Sequence, residues 1–381
     1  MTAHKGCDCV QGLSRRRLLQ TGLAAAAFGA ISRKGDALAQ SQAQLEGHGR
    51  RAADVRAVDI HAHYLPEAYL NVFNEDGKRF NAEYRMTDKG FYYKTPAGSG
   101  GPSATKVIDL KQRVADMDQQ GVALQAVSLS LPTMAYWGDA ELSHKLATAW
   151  NDGASAAHQQ YPTRLVGLLA LPMPYPDRAI DELNRASKLP GIRGVYVGTT
   201  INGKDLDDPL FEPIWARIED IHLPVFVHHV ETMDDKRLRP FYLGNLLGNA
   251  FDTAIAACHL IFGGVLDRHP KLQIGLANGA GTLLIQIGRL DRGWQVRPET
   301  RHLPNAPSTY LQRFTYDTIV HSKPVLEYVI REVGAERVMI GTDYPSDMGD
   351  EHPIQFLEQI NLTSAQRRAI LGGTAAKLLE L

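Results

Sequence analysis

The run Val58-Asp59-Ile60-His61-Ala62-His63 sets two histidines one residue apart on an apolar stretch that reads as a β-strand. Strand side chains alternate between faces, so His61 and His63 point the same way. Two imidazoles held like this clip a metal ion such as zinc, iron, nickel or copper. Alone, such a pair is equally well read as two solvated histidines. Two distant segments strengthen the metal reading. Val225-Phe226-Val227-His228-His229 ends an apolar run in histidine, and Val338-Met339-Ile340-Gly341-Thr342-Asp343 ends another in a carboxylate. His61, His63, His228 and Asp343 at the ends of separate strands form the ligand set of a mononuclear site. A divalent ion there polarises a carbonyl or carboxylate and acidifies bound water.

Bringing these ends together requires strands that all point one way. Eight β-rich runs are predicted at 57–63, 123–130, 165–171, 194–198, 224–230, 273–277, 313–320 and 338–343. Helical patterns lie between them at 110–120, 140–160, 177–188, 211–221, 250–268, 283–292 and 324–333, with a last helix at 364–380. Eight strands alternating with eight helices predict an α/β fold, a (β/α)8 barrel, whose site sits at the C-terminal ends of the strands. Segment 64–106 is too long for a plain loop. Its aromatic Tyr84, Phe91, Tyr92 and Tyr93 and its turn-rich Gly98-Ser99-Gly100-Gly101-Pro102 predict a small β-hairpin lid after strand one. A second, proline-rich excursion spans 297–307.

The chain has 381 residues and a formal net charge of -1, with no basic excess that would argue for nucleic acid. Ser14-Arg15-Arg16-Arg17-Leu18-Leu19 is a twin-arginine pattern, followed by an alanine-rich run and the cleavage pattern Ala37-Leu38-Ala39. The apolar run is too short to span a bilayer comfortably. Residues 1–39 therefore read as a signal peptide for twin-arginine export, 40–54 as a linker and 55–381 as the barrel. The mature protein is expected in the periplasm, free of the membrane, with Cys258 as its remaining cysteine.

Five segments carry a family resemblance: DIHAH (59–63), LPVFVHH (223–229), FGGVLDRHPKLQIGLANGAG (262–281), IGRLDRG (287–293) and IGTDYPSDMG (340–349). They resemble the amidohydrolase-2 family, nearest its aminocarboxymuconate semialdehyde decarboxylase branch. RVADMDQQGVALQAVSLS (113–130) and YPTRLVGLLALPM (161–173) extend the likeness along the chain. The resemblance implies one divalent ion, zinc first with Mn2+, Fe2+ or Co2+ as alternatives, on His61, His63, His228 and Asp343. It also implies a homodimer and two arginines on a substrate carboxylate, one supplied by the neighbouring subunit. That one matches Arg289. The other falls near Ala104 and Thr105, where Lys106 would serve as a point charge rather than a planar fork.

The branch's decarboxylases carry a catalytic histidine in an AHGGG motif, where this chain reads Ala277-Asn278-Gly279-Ala280-Gly281. An amide donates and accepts hydrogen bonds but does not shuttle a proton near neutral pH. Either Asn278 orients water or substrate, or proton transfer moves elsewhere. Asp343 is one substitute. His321, at the mouth end of strand seven, is open between site and structure. Strand alternation turns His229 away from the metal, into packing. Trp137, after strand two, is a candidate pocket wall. His144, His158, His259 and His269 read as solvated or capping, and Trp150, Trp215 and Trp294 as packing of the helical layer.

The leading expectation is a metal-dependent carboxy-lyase acting on a small carboxylated unsaturated or aromatic compound. The alternatives are a metal-dependent hydrolase of an amide, lactone or C–C bond with Asp343 as base, and a non-catalytic relative that binds metal and ligand.

Overall fold

The structure is a computed structural model that describes residues 56–129, 134–230 and 236–381. The expected signal peptide (1–39) and linker (40–54) thus lie outside the described residues. β1 (Val58–Tyr64) is followed by the insertion, which holds a helix, Glu67–Asp76, and the strands β2 (Glu83–Thr87), β3 (Gly90–Thr95) and β4 (Gly98–Ser103). Then come β5 (Leu124–Leu129), β6 (Leu165–Ala170), β7 (Ile192–Gly198), the short pair β8 (Thr200–Ile201) and β9 (Lys204–Asp205), β10 (Val225–His228), β11 (Ile274–Leu276), β12 (Phe314–Asp317) and β13 (Val338–Met339).

Eight of these form one parallel sheet in the order β1-β5-β6-β7-β10-β11-β12-β13, with helices between successive strands. Strands such as β5 and β6 are buried along their whole length, which is why they read as continuous apolar runs rather than alternating ones. The sheet closes on itself. Ile60 N–H donates to Ile340 O at 2.9 Å and Asp343 N–H to His61 O at 2.8 Å, and Ala62 bridges Tyr344. The fold is the expected (β/α)8 barrel. In the helical layer, Trp150 and Trp215 are fully buried and donate their indole N–H to Tyr64 O at 3.1 Å and Leu206 O at 2.9 Å. Trp294 is partly buried and donates to Leu303 O at 3.1 Å.

Several boundaries depart from expectation. β12 ends at Asp317, not near 320, because the Asp317 carboxylate accepts N–H from Gly279 at 2.9 Å and Ile319 at 3.1 Å and turns the chain. The helix expected at 250–268 is two, Asn249–Phe262 and Val265–Arg268, parted where Gly264 is left-handed at φ 70°. The last helix is likewise broken into Ser364–Arg368, a wider π turn Ala369–Gly373, and Thr374–Leu378. The π turn frees Ile370 O to accept Ile340 N–H at 3.2 Å. It also presses Gly372 against the start of β1, where an added Cβ would stand 2.1 Å from Arg56 O. Gly372→Ala is therefore expected to cost about 1–3 kcal/mol, as overpacking does, read as a lower midpoint in thermal unfolding.

The insertion is more than a hairpin. β2, β3 and β4 form a three-stranded antiparallel sheet, and the helix Glu67–Asp76 packs beside the barrel helix Ala140–Gln160. Its Phe73 and Phe80 meet the Trp137 ring edge-on, at 5.7 and 5.8 Å between centroids.

Candidate metal centre

Four side chains converge where β1 and β10 end and the chain leaves β13. One ligand atom each from His61, His63, His228 and Asp343 lies within 4.8 Å of all the others. Asp343 Oδ1 stands 3.0 Å from His63 Nε2 and 3.4 Å from His61 Nε2. Ligands of one tetrahedral zinc ion sit about 3.3 Å apart, so the cluster is already near that spacing.

The outer nitrogens decide which atoms face the centre. His61 Nδ1 is 2.7 Å from Asp317 Oδ2, His63 Nδ1 is 3.2 Å from Ser128 Oγ, and His228 Nδ1 is 2.8 Å from His229 O. Asp317 and the His229 carbonyl can only accept, so those Nδ1 atoms carry the proton. Ser128 Oγ donates to Ala62 O at 3.1 Å, which leaves it accepting from His63. Every Nε2 is thereby turned inward, where it can ligate once it carries no proton. Among the described residues, His61 Nε2 and His228 Nε2 are buried with no hydrogen-bond partner. Orphaned inward nitrogens beside a carboxylate fit a divalent cation.

Electrostatics agree. Burial works against ionisation of Asp343, but the His61 and His63 imidazoles hold its carboxyl well below the usual range. Burial pushes His63 down, and burial with its histidine neighbours pushes His228 far down, so both are neutral and ready to ligate. Burial also opposes protonation of His61, yet Asp317 and Asp343 outweigh it and raise its pKa to about 10. The metal-free site therefore holds a proton at neutral pH that an ion must displace. Apparent metal affinity is expected to rise about tenfold per pH unit across the neutral range, with proton release measurable by calorimetry in buffers of different ionisation enthalpy.

A buried network steadies this arrangement. Asp59, fully buried, accepts from His61 N at 3.0 Å, Thr342 N at 3.0 Å, Thr342 Oγ1 at 2.6 Å and Gln125 Nε2 at 2.9 Å. It thus ties β1 to β5 and to the Asp343 segment. Burial raises its carboxyl to about 6 against the pull of these bonds. Arg113, also fully buried, donates to Gln125 Oε1 at 3.0 Å and to His63 O, and its guanidinium lies 4.6 Å over the Tyr344 ring. Asp59, Arg113, Gln125, Ser128, Asp317 and Thr342 do not appear among the residues singled out from the sequence. For Ser128 and Asp317 a signal exists: both are polar residues near the mouth end of an apolar strand. Ser128→Ala is expected to weaken metal binding about 10- to 100-fold by freeing the His63 ring, measured by competition with a chelating dye, with Ser128→Thr restoring most of it.

The remaining expected site residues distribute unevenly. His229 corrects the alternation argument. β10 ends at His228, so the next side chain is not bound to the opposite face; its ring lies on the His228 ring at 3.9 Å between centroids and faces the Asn278 carboxamide. Burial holds His229 neutral, its pKa pushed down to about 3. Asn278 is left-handed at φ 56°, and its carboxamide faces the His229 ring. His321 is exposed at φ 50°, and no hydrogen bond or ion pair brings it to the cluster. Lys106 Nζ pairs with Asp116 Oδ2 at 2.8 Å. Trp137 has a buried indole N–H without a partner among the described residues. Arg289 is exposed on the helix Leu283–Val296. Of the histidines read as solvated or capping, His269 is instead buried, with its ring nitrogens 3.0 Å from Glu212 and 3.3 Å from Glu219.

Comparison with known proteins bears on this geometry. A family model described as Amidohydrolase matches residues 58–381. The chain is 30% identical to the 2-amino-3-carboxymuconate-6-semialdehyde decarboxylase of Dictyostelium discoideum, over 85% of this chain and 91% of that one. It is 27% identical to the gamma-resorcylate decarboxylase of a Polaromonas species, over 73% of this chain and 89% of that one. Among solved structures, the 5-carboxyvanillate decarboxylase of Novosphingobium aromaticivorans, crystallised with manganese and 4-hydroxy-3-methoxy-5-nitrobenzoic acid, superposes with a TM-score of 0.73 at 22% identity, covering 86% of this chain and 97% of that one.

Proposed function

The chain belongs to the amidohydrolase-2 family, and from that premise we propose that it is a metal-dependent carboxy-lyase acting on a small aromatic or unsaturated carboxylate. The observation that carries this reading is the inward convergence of His61, His63, His228 and Asp343 at the barrel mouth. Relatives of the same architecture that are decarboxylases, one of them crystallised with manganese, support it. Zinc suits a three-imidazole, one-carboxylate donor set, and manganese is the alternative to compare with it. Bound there, a divalent ion supplies Lewis acidity for the substrate's oxygens.

The protein's own groups do the rest. We assign proton exchange at the carboxylate-bearing carbon to Asp343, whose side chain is 17% exposed; held ionised at rest by His61 and His63, it takes up a proton from solvent only transiently and passes it on. A C–H bond forms there, the C–C bond breaks, its electron pair returns to the carbon skeleton and carbon dioxide leaves. Asn278 orients the substrate, Trp137 walls the pocket, and Lys106 is a cation near the entrance once it exchanges Asp116 for a substrate carboxylate. Arg289, exposed on its helix, is the residue we assign to a neighbouring subunit's substrate in a homodimer. His321 takes no part in the proton path, since it is exposed and unlinked to the cluster. The twin-arginine pattern supports export to the periplasm, which a fusion to an export-dependent reporter would check.

The deciding experiment incubates metal-loaded protein with a panel of hydroxylated benzoates and unsaturated dicarboxylates in 18O-water, following carbon dioxide release. Release of carbon dioxide without 18O in the organic product supports the carboxy-lyase. 18O in the product makes it a hydrolase. Binding with neither makes it a non-catalytic relative.

A further inference from the structure

Asp343 lies beyond the last barrel strand. β13 ends at Met339, and Asp343 itself is left-handed at φ 55°. Apart from its N–H bond to His61 O, its place depends on the residues on either side. Thr342, before it, is pinned to the buried Asp59. Tyr344, after it, is pinned as well: its hydroxyl donates to the buried Asp116 Oδ2 at 2.9 Å. The Tyr344 carbonyl accepts His63 N–H at 2.6 Å, so the same residue also meets the end of β1.

Asp116 belongs to the helix Leu110–Gln120, which buries a charged face. An amphipathic helix normally buries apolar side chains, and a buried charge costs free energy unless it is paired and hydrogen-bonded. Here Arg113 and Asp116 are both buried, three residues apart and so on one face. Each has a task at the barrel seam. Arg113 donates to His63 O and lays its guanidinium over the Tyr344 ring, while Asp116 takes the Tyr344 hydroxyl. Gln112 Nε2 occupies the other Asp116 oxygen at 2.7 Å. Lys106 Nζ shares Oδ2 at 2.8 Å, so it can leave for a substrate carboxylate without Tyr344 losing its acceptor. Burial works against ionisation of Asp116, but Lys106, Gln112 and Tyr344 hold its carboxyl below the usual range.

One helix thus grips both sides of the seam: the His63 end of β1 and the segment that carries Asp343. Across that seam His63 Nε2 and Asp343 Oδ1 stand 3.0 Å apart, close to the spacing of two ligands on one ion. We propose, resting on the metal-binding reading above, that Asp116 and Tyr344 are positioning residues. Their bond, braced by Arg113, holds Asp343 at ligand distance from the histidine pair before an ion arrives. Neither is a ligand. Partners that bond a ligand directly are worth about 10- to 100-fold in metal affinity. The Asp116–Tyr344 bond acts one residue further out, at about the lower end of that range.

The test measures zinc affinity by competition with a chelating dye, well below the thermal midpoint of each metal-free variant, which is recorded separately. Tyr344→Phe keeps the ring under Arg113 and loses only the hydroxyl. It is expected to bind zinc about tenfold more weakly, and Asp116→Ala likewise. Asp116→Asn, which keeps an acceptor for the hydroxyl, should retain most of the affinity. The double variant Asp116→Ala/Tyr344→Phe should be no weaker than Asp116→Ala alone, because both changes remove the same bond. Gln112→Ala removes the bond to the other Asp116 oxygen and should leave zinc affinity unchanged. Unchanged affinity in Tyr344→Phe, whatever its thermal midpoint, overturns the assignment and leaves the metal centre standing. Additive losses in the double variant overturn it too, as does an equal loss in Gln112→Ala, which would mark a general loosening of the helix. If Asp116→Ala does not fold, Tyr344→Phe beside Asp116→Asn decides. Failure of the wild type to take up zinc sinks the metal-binding reading, and this inference with it.

Discussion

Asp343→Ala is expected to fold, to bind less than about a tenth of an equivalent of divalent metal, and to release no measurable carbon dioxide from any substrate the wild type turns over. Asp343 is the one anion among four converging ligands, and its carboxyl is held ionised by His61 and His63. Removing it leaves three imidazoles, one of them losing part of the reason it was protonated. A divalent cation then enters a buried site without a counter-charge, and the cost of desolvating the ion is no longer offset. The loss falls on chemistry as well as binding, because the same carboxylate carries the proton in the proposed reaction. Stability should move little. Asp343 sits at φ 55°, a conformation that alanine tolerates poorly, but its N–H bond to His61 O does not depend on the side chain. The checks are metal content by emission spectroscopy, thermal unfolding, and carbon dioxide release under saturating metal. A variant that keeps one equivalent of metal would remove Asp343 from the ligand set.

The second large effect belongs to Asp317, which touches neither metal nor substrate. Asp317→Asn is expected to weaken metal binding about 10- to 100-fold and to make the remaining affinity less steeply dependent on pH. The carboxylate is fully buried, accepts the His61 Nδ1 proton and clasps two backbone N–H groups. An amide of the same shape can keep the backbone bonds, but it no longer supplies the negative charge that helps raise His61 to about 10. With His61 less prone to hold a proton in the metal-free state, the proton–metal competition flattens. A purely structural role would lower stability without changing that slope. The slope of affinity against pH is therefore the informative readout, taken beside Asp317→Ala, which should lose the turn as well.

The ligand set is legible in the sequence because each ligand ends a strand or stands at a strand's mouth, and apolar runs ending in histidine or aspartate are local signals. The barrel is legible for the same reason. What holds the ligands is not. Asp59 meets Thr342 across a sequence separation of 283 and Gln125 across 66, pairings that no local pattern announces. Arg113 reads as a polar residue of an amphipathic helix, yet it is fully buried against the His63 carbonyl. Strand alternation misplaces His229 because the strand stops one residue before it. Asp317 does end an apolar run, which is a local signal, but which residue it holds is not local, since its bond to His61 spans 256 residues. The last helix reads as continuous because its glycine pair, Gly372 and Gly373, carries no mark of the backbone it must approach.

The seam of the barrel has a consequence for how the protein comes into being. Three of the four ligands, His61, His63 and Asp343, lie on either side of the closure between β1 and the segment after β13, and His63 meets Asp343 across 280 residues of chain. While the polypeptide is still emerging from the ribosome, the first strand holds a bare pair of histidines and nothing that completes their coordination sphere. An early ion can be captured only loosely and cannot template the later strands. High-affinity loading has to wait for the C-terminal residues to dock, so stoichiometric metal is a signature of a finished molecule rather than a seed for one. A quality-control step that sampled metal occupancy would, in this protein, be counting completed chains.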